Sequence, residues 1–370
     1  GSYTYGLLFL GVGTELEDQL PHDFIISQSY IHGDPLSGGK RGIALNSRST
    51  TIEKSYFSNW KGIDQDTQAI AGWNGPGPFD ITNNYIEAAG ENIMFGGAPS
   101  VIPELVPADI EIRDNYFSKP LEWNQYSPTY DGSSWIIKNV LELKNARNVH
   151  IEHNIIEHSW VQEQSGFAVL LTPRNQDGNQ PWTVVEDVTI ENNIIRHAAA
   201  GINIVGYDDN APTRRTNNII IRNNVFTDIG GDMWGRTGPL FQLIGPIDSV
   251  TIDHNTAFHQ GSIILAEEEP NAQFVFTNNI VHHNQYGIFA SSTGSGNAAL
   301  RYFLDAQFSR NIIIDAPEQL YSSFTDNYFP ASIQDVGIAS DYSLSSTSTF
   351  KNAGTDGKDI GADVNKIQGD

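Results

Sequence analysis

Ile190-Glu-Asn-Asn193-Ile-Ile195 and Ile221-Arg-Asn-Asn224-Val-Phe226 share one pattern: a large apolar residue, two polar residues, Asn, and two mostly apolar residues. The pattern recurs along most of the chain, and its Asn positions are Asn84, Asn115, Asn154, Asn193, Asn224, Asn255, Asn279 and Asn311. Two earlier copies carry Ser29 and Ser55 at this position. The shortest interval, from Asn255 to Asn279 (279 − 255 = 24 residues), indicates the bare repeat, so longer intervals carry inserted loops.

Each repeat is too short and too rich in β-branched residues to be a helical repeat. The alternation in Val188-Thr-Ile-Glu191 has the period of a strand with one buried face. We expect the Asn to be a turn residue in the left-handed conformation that hydrogen-bonds the Asn of the next coil. Stacking about ten such coils, ~4.8 Å apart, predicts an all-β fold: a single-domain right-handed parallel β-helix roughly 50 Å long.

The predicted domain contains loop inserts and a distinct C-terminal end. Residues 1–316 are expected to form the β-helix, with residues 1–20 as an N-terminal coil edge or cap. Residues 317–370 lose the repeat spacing and are expected to be a C-terminal cap and tail packed on the same solenoid. Turn-rich segments such as Gly75–Pro78, Lys119–Ser134 and Asn175–Pro181 are predicted to be inserted loops.

The composition excludes several classes of function. The 370 residues include 21 Lys plus Arg and 44 Asp plus Glu, and the net charge of −23 disfavours a nucleic acid partner. The absence of Cys excludes disulfides, thiolate metal sites and Cys nucleophiles. The apolar runs are shorter than the ~20 residues of a membrane-spanning helix, so no span is expected. No nucleotide-binding glycine motif or Gly-x-Ser-x-Gly elbow appears, and no organic cofactor is expected.

The repeat resembles a known group of proteins. The coils, together with the closing Gly354–Ala362, are similar to right-handed parallel β-helix proteins of the pectate-lyase-like superfamily. More closely, Arg41–Asn46, Trp73–Phe79 and Gly90–Gly97 resemble bacterial β-helix-repeat proteins that carry no assigned activity, and the likeness covers nearly the whole chain. It implies a secreted, cell-surface or periplasmic protein that acts on polysaccharides by β-elimination or glycoside hydrolysis. The superfamily also contains tailspikes, epimerases, adhesins and structural proteins, so the fold does not decide the function.

A second strand precedes each Asn-bearing strand, and its outward residues predict a groove. If Leu141 and Leu143 point inward, Glu142 and Lys144 point outward as neighbours on one face. Stacking is expected to place Asn92 on one side of this pair and Thr172 or Arg174 on the other. The resulting polar stripe has the character of a saccharide-binding groove with a polysaccharide substrate. The predicted substrate-binding residues are Trp73, Asn74, Asn92, Asn145, Asn175, Gln176, Asn203 and Gln242.

The first catalytic hypothesis is β-elimination of a uronate-containing glycan. This reaction needs a base and a cation that neutralises the uronate carboxylate as charge develops. Lys144 is the predicted base, Arg174 the carboxylate clamp or acid, and Glu142 a Ca²⁺ ligand. The Glu-x-Lys followed one coil later by Arg is similar to alginate and dermatan lyases that use a Lys/Arg pair with a calcium carboxylate. The alternative is a surface ion network along the stack.

A second hypothesis is a glycoside hydrolase with paired carboxylates. Asp66 and Glu91 are its predicted catalytic residues, Trp73 could stack on a sugar ring, and Asp64 is a further Ca²⁺ ligand. Alternatively, Asp64 and Asp66 cap a turn and Trp73 packs beneath a loop. A third possibility is a non-catalytic carbohydrate-binding or adhesion solenoid.

Overall fold

Each turn of the chain contributes one strand to each of three long β-sheets. The structure is a computed structural model, which describes residues 6–11 and 16–368. Apart from the short strand Gly294–Ser295, strands that follow one another within a sheet come from successive turns of the chain and pair in parallel. The right-handed parallel β-helix predicted from the repeat is therefore confirmed.

We name the sheets 1, 2 and 3 in the order in which the chain first enters them. Sheet 1 consists of Leu8–Leu10, Arg41–Leu45, Gln68–Gly72, Glu91–Phe95, Leu141–Leu143, Phe167–Leu171, Ala200–Val205, Phe241–Ile244, Ile264–Glu267, Ile288–Ala290 and the antiparallel Gly294–Ser295. Sheet 2 consists of His22–Ser27, Arg48–Glu53, Phe79–Thr82, Ala108–Arg113, Ala146–Glu152, Val185–Glu191, Asn217–Arg222, Asp248–Asp253, Asn271–Thr277 and Phe303–Leu304, with Gln307–Ser309 beside Asn271–Thr277. Sheet 3 consists of Tyr30–His32, Tyr56–Trp60, Tyr85–Ala88, Tyr116–Ser118, Ile155–Ser159, Ile194–Ala198, Val225–Ile229, Thr256–His259, Ile280–His282 and Ile312–Ile314.

Helical segments are short and lie in the connections and at the C-terminal end. The α-helices are Ile333–Val336 and Val364–Gln368, and the 3₁₀-helices are Glu17–Gln19, Leu121–Trp123, Asp232–Trp234, Gly296–Tyr302 and Glu318–Tyr321. None of the helices in the described part of the chain is long and apolar enough to cross a membrane.

The core consists of aliphatic and aromatic rows that run along the axis. In sheet 2, Ile112, Ile151, Ile190, Ile221 and Ile252 are register neighbours and are fully buried. Burying each such side chain contributes roughly 1.5–3 kcal/mol. Because a shift of one residue would turn this row outward, the rows also fix the register of successive coils.

The predicted Asn ladder is present at the corner between sheets 2 and 3. The Oδ1 atom of Asn193 accepts hydrogen bonds from the backbone N and the Nδ2 of Asn154, and Asn193 donates to Asn224 in the same way. The ladder continues to Asn327, beyond the predicted boundary at residue 316.

The expectation that the ladder Asn itself adopts the left-handed conformation is wrong. The residue before it does: φ is +58° at Asn192, +53° at Asn223 and +51° at His254. This residue turns the chain, and the Asn side chain is left free to bond within the stack.

The C-terminal segment packs on the outer surface of sheet 3. Val336, Leu344 and Ile360 join Ile280, Ile312 and Ile314 in one buried cluster. Val364 and Ile367 contact Val225 in a second cluster. The segment thus covers part of a different sheet from the one that carries the candidate site.

Candidate functional site

The outer face of sheet 1 carries a cavity of about 520 Å³. Its floor includes Glu142, Leu170, Asn203 and Gln242, which are consecutive register neighbours on four adjacent strands. Its walls come from loops on either side of the strand Phe167–Leu171. The wall and rim residues include Asn139, Glu163, Gln164, Ser165, Thr172, Arg174 and Gln176. The three residues of the β-elimination hypothesis, Glu142, Lys144 and Arg174, all line this cavity.

A buried aromatic cluster supports the segments beside the cavity. Trp123, Trp135, Trp160 and Trp234 pack together with Ile137 and Ala89. Ile137 lies two residues before Asn139 in the chain, and Ala89 lies two residues before Glu91. The predicted loop insert at Lys119–Ser134 therefore contributes to a packed structure that helps to fix the backbone beside the site.

Glu142 is a buried carboxyl group at the cavity floor. Only 2% of the residue's surface is exposed. Its Oε1 accepts a hydrogen bond from Thr172 Oγ1 at 3.2 Å, and its Oε2 accepts one from Asn139 Nδ2 at 2.9 Å. The Nζ of Lys144 lies 3.5 Å from Oε1. Period-two alternation correctly predicted that Glu142 and Lys144 are neighbours on the outer face.

Glu91 is a second buried carboxyl group beside Glu142, and 0% of its surface is exposed. Its Oε2 accepts a hydrogen bond from Gln68 Nε2 at 2.8 Å, and Lys138 Nζ lies 3.6 Å from its Oε1. Lys138 Nζ also forms an ion pair with Asp66 at 2.5 Å. The half-exposed Asp66 and the buried Glu91 therefore share one cation, the ammonium group of Lys138.

The two glutamates have opposite pKa shifts. Burial raises the pKa of Glu142 to about 7, and the nearby charge of Glu91 acts in the same direction against the attraction of Lys144. Burial also acts to raise the pKa of Glu91, but the ammonium groups of Lys138 and Lys144 outweigh it and hold that pKa below its ordinary value. Below about pH 7 the pair therefore holds one proton, on Glu142. Carboxyl groups whose pKa values are driven apart in this way are suited to acid–base chemistry.

Arg174 is next to Lys144 but its charge is already paired. The backbone N of Arg174 donates to the carbonyl O of Lys144 at 3.0 Å, so the two residues lie on adjacent coils. The Nη1 of Arg174 bonds Asp208 Oδ1 at 2.9 Å and Asp209 Oδ1 at 3.1 Å. These two acidic side chains compete with any carboxylate of a substrate for the guanidinium.

Asn92 does not lie in the outward row beside Glu142, which corrects the expected stripe. The register neighbours of Glu142 are Met94 and Leu170. Asn92 is fully buried at the corner between sheets 3 and 1, where its Nδ2 donates to the carbonyls of Ile86 and Ser118. Its Oδ1 accepts a hydrogen bond from the buried ammonium group of Lys119 at 3.0 Å. Asn92 thus stabilises the backbone that positions Glu91.

Three other predicted binding residues have structural hydrogen bonds. Asn74, Asn145 and Asn175 are buried, and each carries a side-chain carbonyl that accepts a hydrogen bond from a backbone N–H group outside the regular strands. By contrast, Gln176, Asn203 and Gln242 line the cavity. Asn203 Nδ2 donates to Gln242 Oε1 at 3.0 Å, and Gln242 in turn donates to Glu267. The groove prediction therefore identifies the floor amides, while the three buried asparagines stabilise the backbone of loops.

Trp73 and Asp64 lie outside the set of residues that lines the cavity. The ring of Trp73 lies against Arg41, with the guanidinium carbon 4.7 Å from the ring centroid. Asp64 is exposed on the loop before Asp66.

The surroundings of Glu142 do not fit the expected Ca²⁺ ion. A calcium site needs six to eight oxygen ligands, whereas the ammonium groups of Lys144 and Lys138 already provide positive charge around Glu142 and Glu91. Within residues 6–11 and 16–368, the group of acidic and His side chains close enough to share a metal is Glu111, His150 and Glu152 on sheet 2.

Comparisons with known proteins do not identify a function for this chain. No family model and no curated protein sequence matches this chain. One similar solved structure is a mutant tailspike protein of Escherichia coli bacteriophage HK620 in complex with a hexasaccharide. It shares 12% sequence identity at a TM-score of 0.49, with 90% of this chain and 71% of that chain covered. The function is therefore argued below from the geometry of the site.

Proposed function

We propose that this protein degrades an extended polysaccharide in the groove on sheet 1 by hydrolysing glycosidic bonds, with Glu142 as the general acid. The observation that supports this proposal is the buried carboxyl group of Glu142 at the cavity floor, whose pKa burial raises to about 7. Near neutral pH such a group is protonated in a large fraction of the molecules and can donate its proton to the leaving glycosidic oxygen.

The cavity offers a second carboxylate for the other half of the reaction. Glu163 is exposed on the cavity wall and can accept a proton from the attacking water. Water then adds to the anomeric carbon as the carbon–oxygen bond to the leaving sugar breaks and that oxygen takes the proton of Glu142. Glu91 has no exposed surface and acts as a positioning residue, because its negative charge favours the protonated form of Glu142.

The floor amides supply contacts to the sugar hydroxyl groups. Asn203 and Gln242 lie one and two strands beyond Leu170, and Gln176 is exposed at the rim. Their spacing follows the solenoid axis at ~4.8 Å per strand, which suits a polymer that lies along the sheet. Because extended polysaccharides lie outside cells, we further propose a secreted or cell-surface location.

β-Elimination is a second candidate, favoured by the juxtaposition of Lys144 and Arg174 at the cavity. In this reaction Lys144 would abstract the proton α to a uronate carboxylate. The bonds from Arg174 to Asp208 and Asp209 weaken this alternative. The two aspartates offset the positive charge of Arg174, which elimination needs in order to neutralise the uronate carboxylate of the substrate.

The reactions can be separated by their products on a panel of neutral and uronate polysaccharides. Hydrolysis releases reducing ends without an unsaturated sugar, whereas elimination also produces the ultraviolet absorbance of an unsaturated uronate. We expect reducing ends alone. Appearance of the unsaturated product would favour the lyase. Binding of panel glycans with cleavage of none of them would favour a carbohydrate-binding solenoid.

The pH dependence of hydrolysis is expected to have a descending limb near pH 7. The reason is that Glu142 must be protonated, and it loses its proton as the pH rises through its pKa of about 7. The profile of kcat/KM against pH measures this limb. In Glu91→Gln the limb should move to lower pH, because removing the neighbouring negative charge lowers the pKa of Glu142.

A suitable control for this shift is Glu87→Gln. Glu87 is also a buried glutamate whose pKa is raised by burial, but it lies on sheet 3, away from the cavity. Its replacement should leave the limb in place. A limb that does not respond to Glu91→Gln would contradict the assignment of the acid.

A further inference from the structure

The floor of the groove continues beyond Gln242 into a second pocket. In register, Gln242 is followed by Leu265 and then by Phe289 on the next two strands of sheet 1. A pocket of about 280 Å³ lies over these two residues, and we name it the distal pocket. The lining residues used below are Arg236, Gln260, Ser262, Leu265, Tyr286 and Phe289.

The distal pocket combines aromatic rings with a polar rim. Tyr286 is 46% exposed, and its ring centroid lies 5.3 Å from that of Phe289 at an angle of 47°. Gln260 and Ser262 supply hydrogen-bonding groups at the edge. An apolar surface beside a few polar groups matches a sugar ring, which has an apolar face and hydroxyl groups at its periphery.

Arg236 adds a positive charge that no acidic side chain within residues 6–11 and 16–368 neutralises. It is exposed, and its guanidinium forms no ion pair with the residues that the structure describes. Arg174, in the neighbouring cavity, is instead held by Asp208 and Asp209. In a chain with 44 acidic and 21 basic residues, acidic partners are abundant. A guanidinium that is left without an ion pair, in a pocket with the exposed ring of Tyr286, is suited to bind a carboxylate.

We propose that the distal pocket binds an acidic sugar unit of the polysaccharide that is cleaved at Glu142, an inference that rests on the proposed function. The apolar face of the sugar packs on Tyr286 and Phe289, and its carboxylate binds Arg236. Four strand steps separate Glu142 from Leu265, about 19 Å at the spacing of strands in a sheet. The pocket therefore contributes only to ligands long enough to span this distance.

Binding to the inactive Glu142→Gln protein tests this inference. The probes are oligogalacturonates and oligomannuronates of increasing length, together with their carboxyl-reduced neutral counterparts, measured by titration calorimetry. Arg236→Gln, introduced into this background, should weaken binding of long acidic oligosaccharides about tenfold and leave the neutral counterparts unchanged. Tyr286→Ala should weaken binding of the long acidic oligosaccharides and of their long neutral counterparts, because it removes the surface on which the sugar ring stacks. Neither change should alter binding of the shortest oligosaccharides.

The matched control is Arg147→Gln. Arg147 is also exposed and without an ion pair among the described residues, but it lies on sheet 2. Equal losses of affinity for long acidic oligosaccharides in Arg147→Gln and Arg236→Gln would show that the effect comes from the overall charge of the protein. That result would overturn the proposed role of the distal pocket. Wild-type affinity in Arg236→Gln, or no binding of any long acidic oligosaccharide, would also overturn it.

The two proposals fail in different ways. If binding depends on Arg236 but the wild-type protein cleaves no polysaccharide, the proposal for the distal pocket stands and the proposal of hydrolysis fails. Hydrolysis with no dependence of long-chain affinity on Arg236 would retain the hydrolase and overturn the pocket.

Discussion

Glu142→Gln is expected to lower the rate of polysaccharide hydrolysis about 10³-fold, the scale on which a general acid contributes to catalysis. Glutamine has nearly the shape of the protonated carboxyl group but cannot donate a proton to the leaving oxygen. Its side chain can still accept from Thr172 or Asn139, which bond the Glu142 carboxyl group. The loss should therefore appear in kcat, with substrate affinity largely retained.

The stability of the same variant provides an independent check on the titration. The pKa of Glu142 is raised from its ordinary value of 4.5 to about 7, so the folded state binds the proton more tightly than the unfolded chain. The wild-type protein therefore loses stability as pH rises between these two values, and the Glu142→Gln variant, whose amide does not titrate, avoids that loss. Denaturation at acid and neutral pH should show Glu142→Gln gaining stability relative to the wild type as pH rises.

Lys144→Met separates the two catalytic hypotheses. In the hydrolase, Lys144 lowers the pKa of Glu142 by its charge, so the variant should keep most of its activity and shift the descending limb to higher pH. In the lyase, Lys144 is the base and its loss would abolish turnover. Full loss of activity in Lys144→Met with little effect of Glu142→Gln would overturn the hydrolase.

The fold could be predicted because its determinants recur within each coil. The apolar alternation around Ile190 fixes which face is buried, and the repeated Asn fixes where the coils stack. The position of the left-handed residue could not be predicted in the same way. It is Lys54 in one coil, Asp114 in another and His153 in a third, and no single residue type marks it.

The candidate site was only partly predictable because its contacts join separate coils. Alternation within one strand was enough to pair Glu142 with Lys144. The link from Asp66 through Lys138 to Glu91 joins residues that are far apart in sequence, and Lys138 lies in an inserted loop with no repeat spacing. Asn92 was misplaced because it lies at a corner, where the alternation of the strand no longer decides the direction of the side chain.

Asn193→Ala is expected to lower the free energy of unfolding by about 4 kcal/mol, since two buried backbone groups lose their partners at roughly 1–3 kcal/mol each. Asn193 is fully buried. Its Oδ1 accepts from the backbone N of Asn154 at 2.9 Å, and its Nδ2 donates to the carbonyl of Ile151 at 2.9 Å. Alanine offers neither group, and the full burial of this position keeps bulk water from replacing them. Chemical denaturation of the purified variant measures the loss.

Two further variants show whether the loss comes from the buried ladder. Asn193→Ser should cost about half as much, because a hydroxyl group can still accept the backbone N–H, as Ser55 Oγ does for Ser29 at 3.0 Å. Asn327→Ala, at the partly exposed end of the ladder, should cost about 1 kcal/mol, since water can reach the freed groups there. Equal losses at Asn193 and Asn327 would mean that the ladder bonds do not stabilise the stack in proportion to their burial. The apolar rows alone would then have to account for the register of the coils.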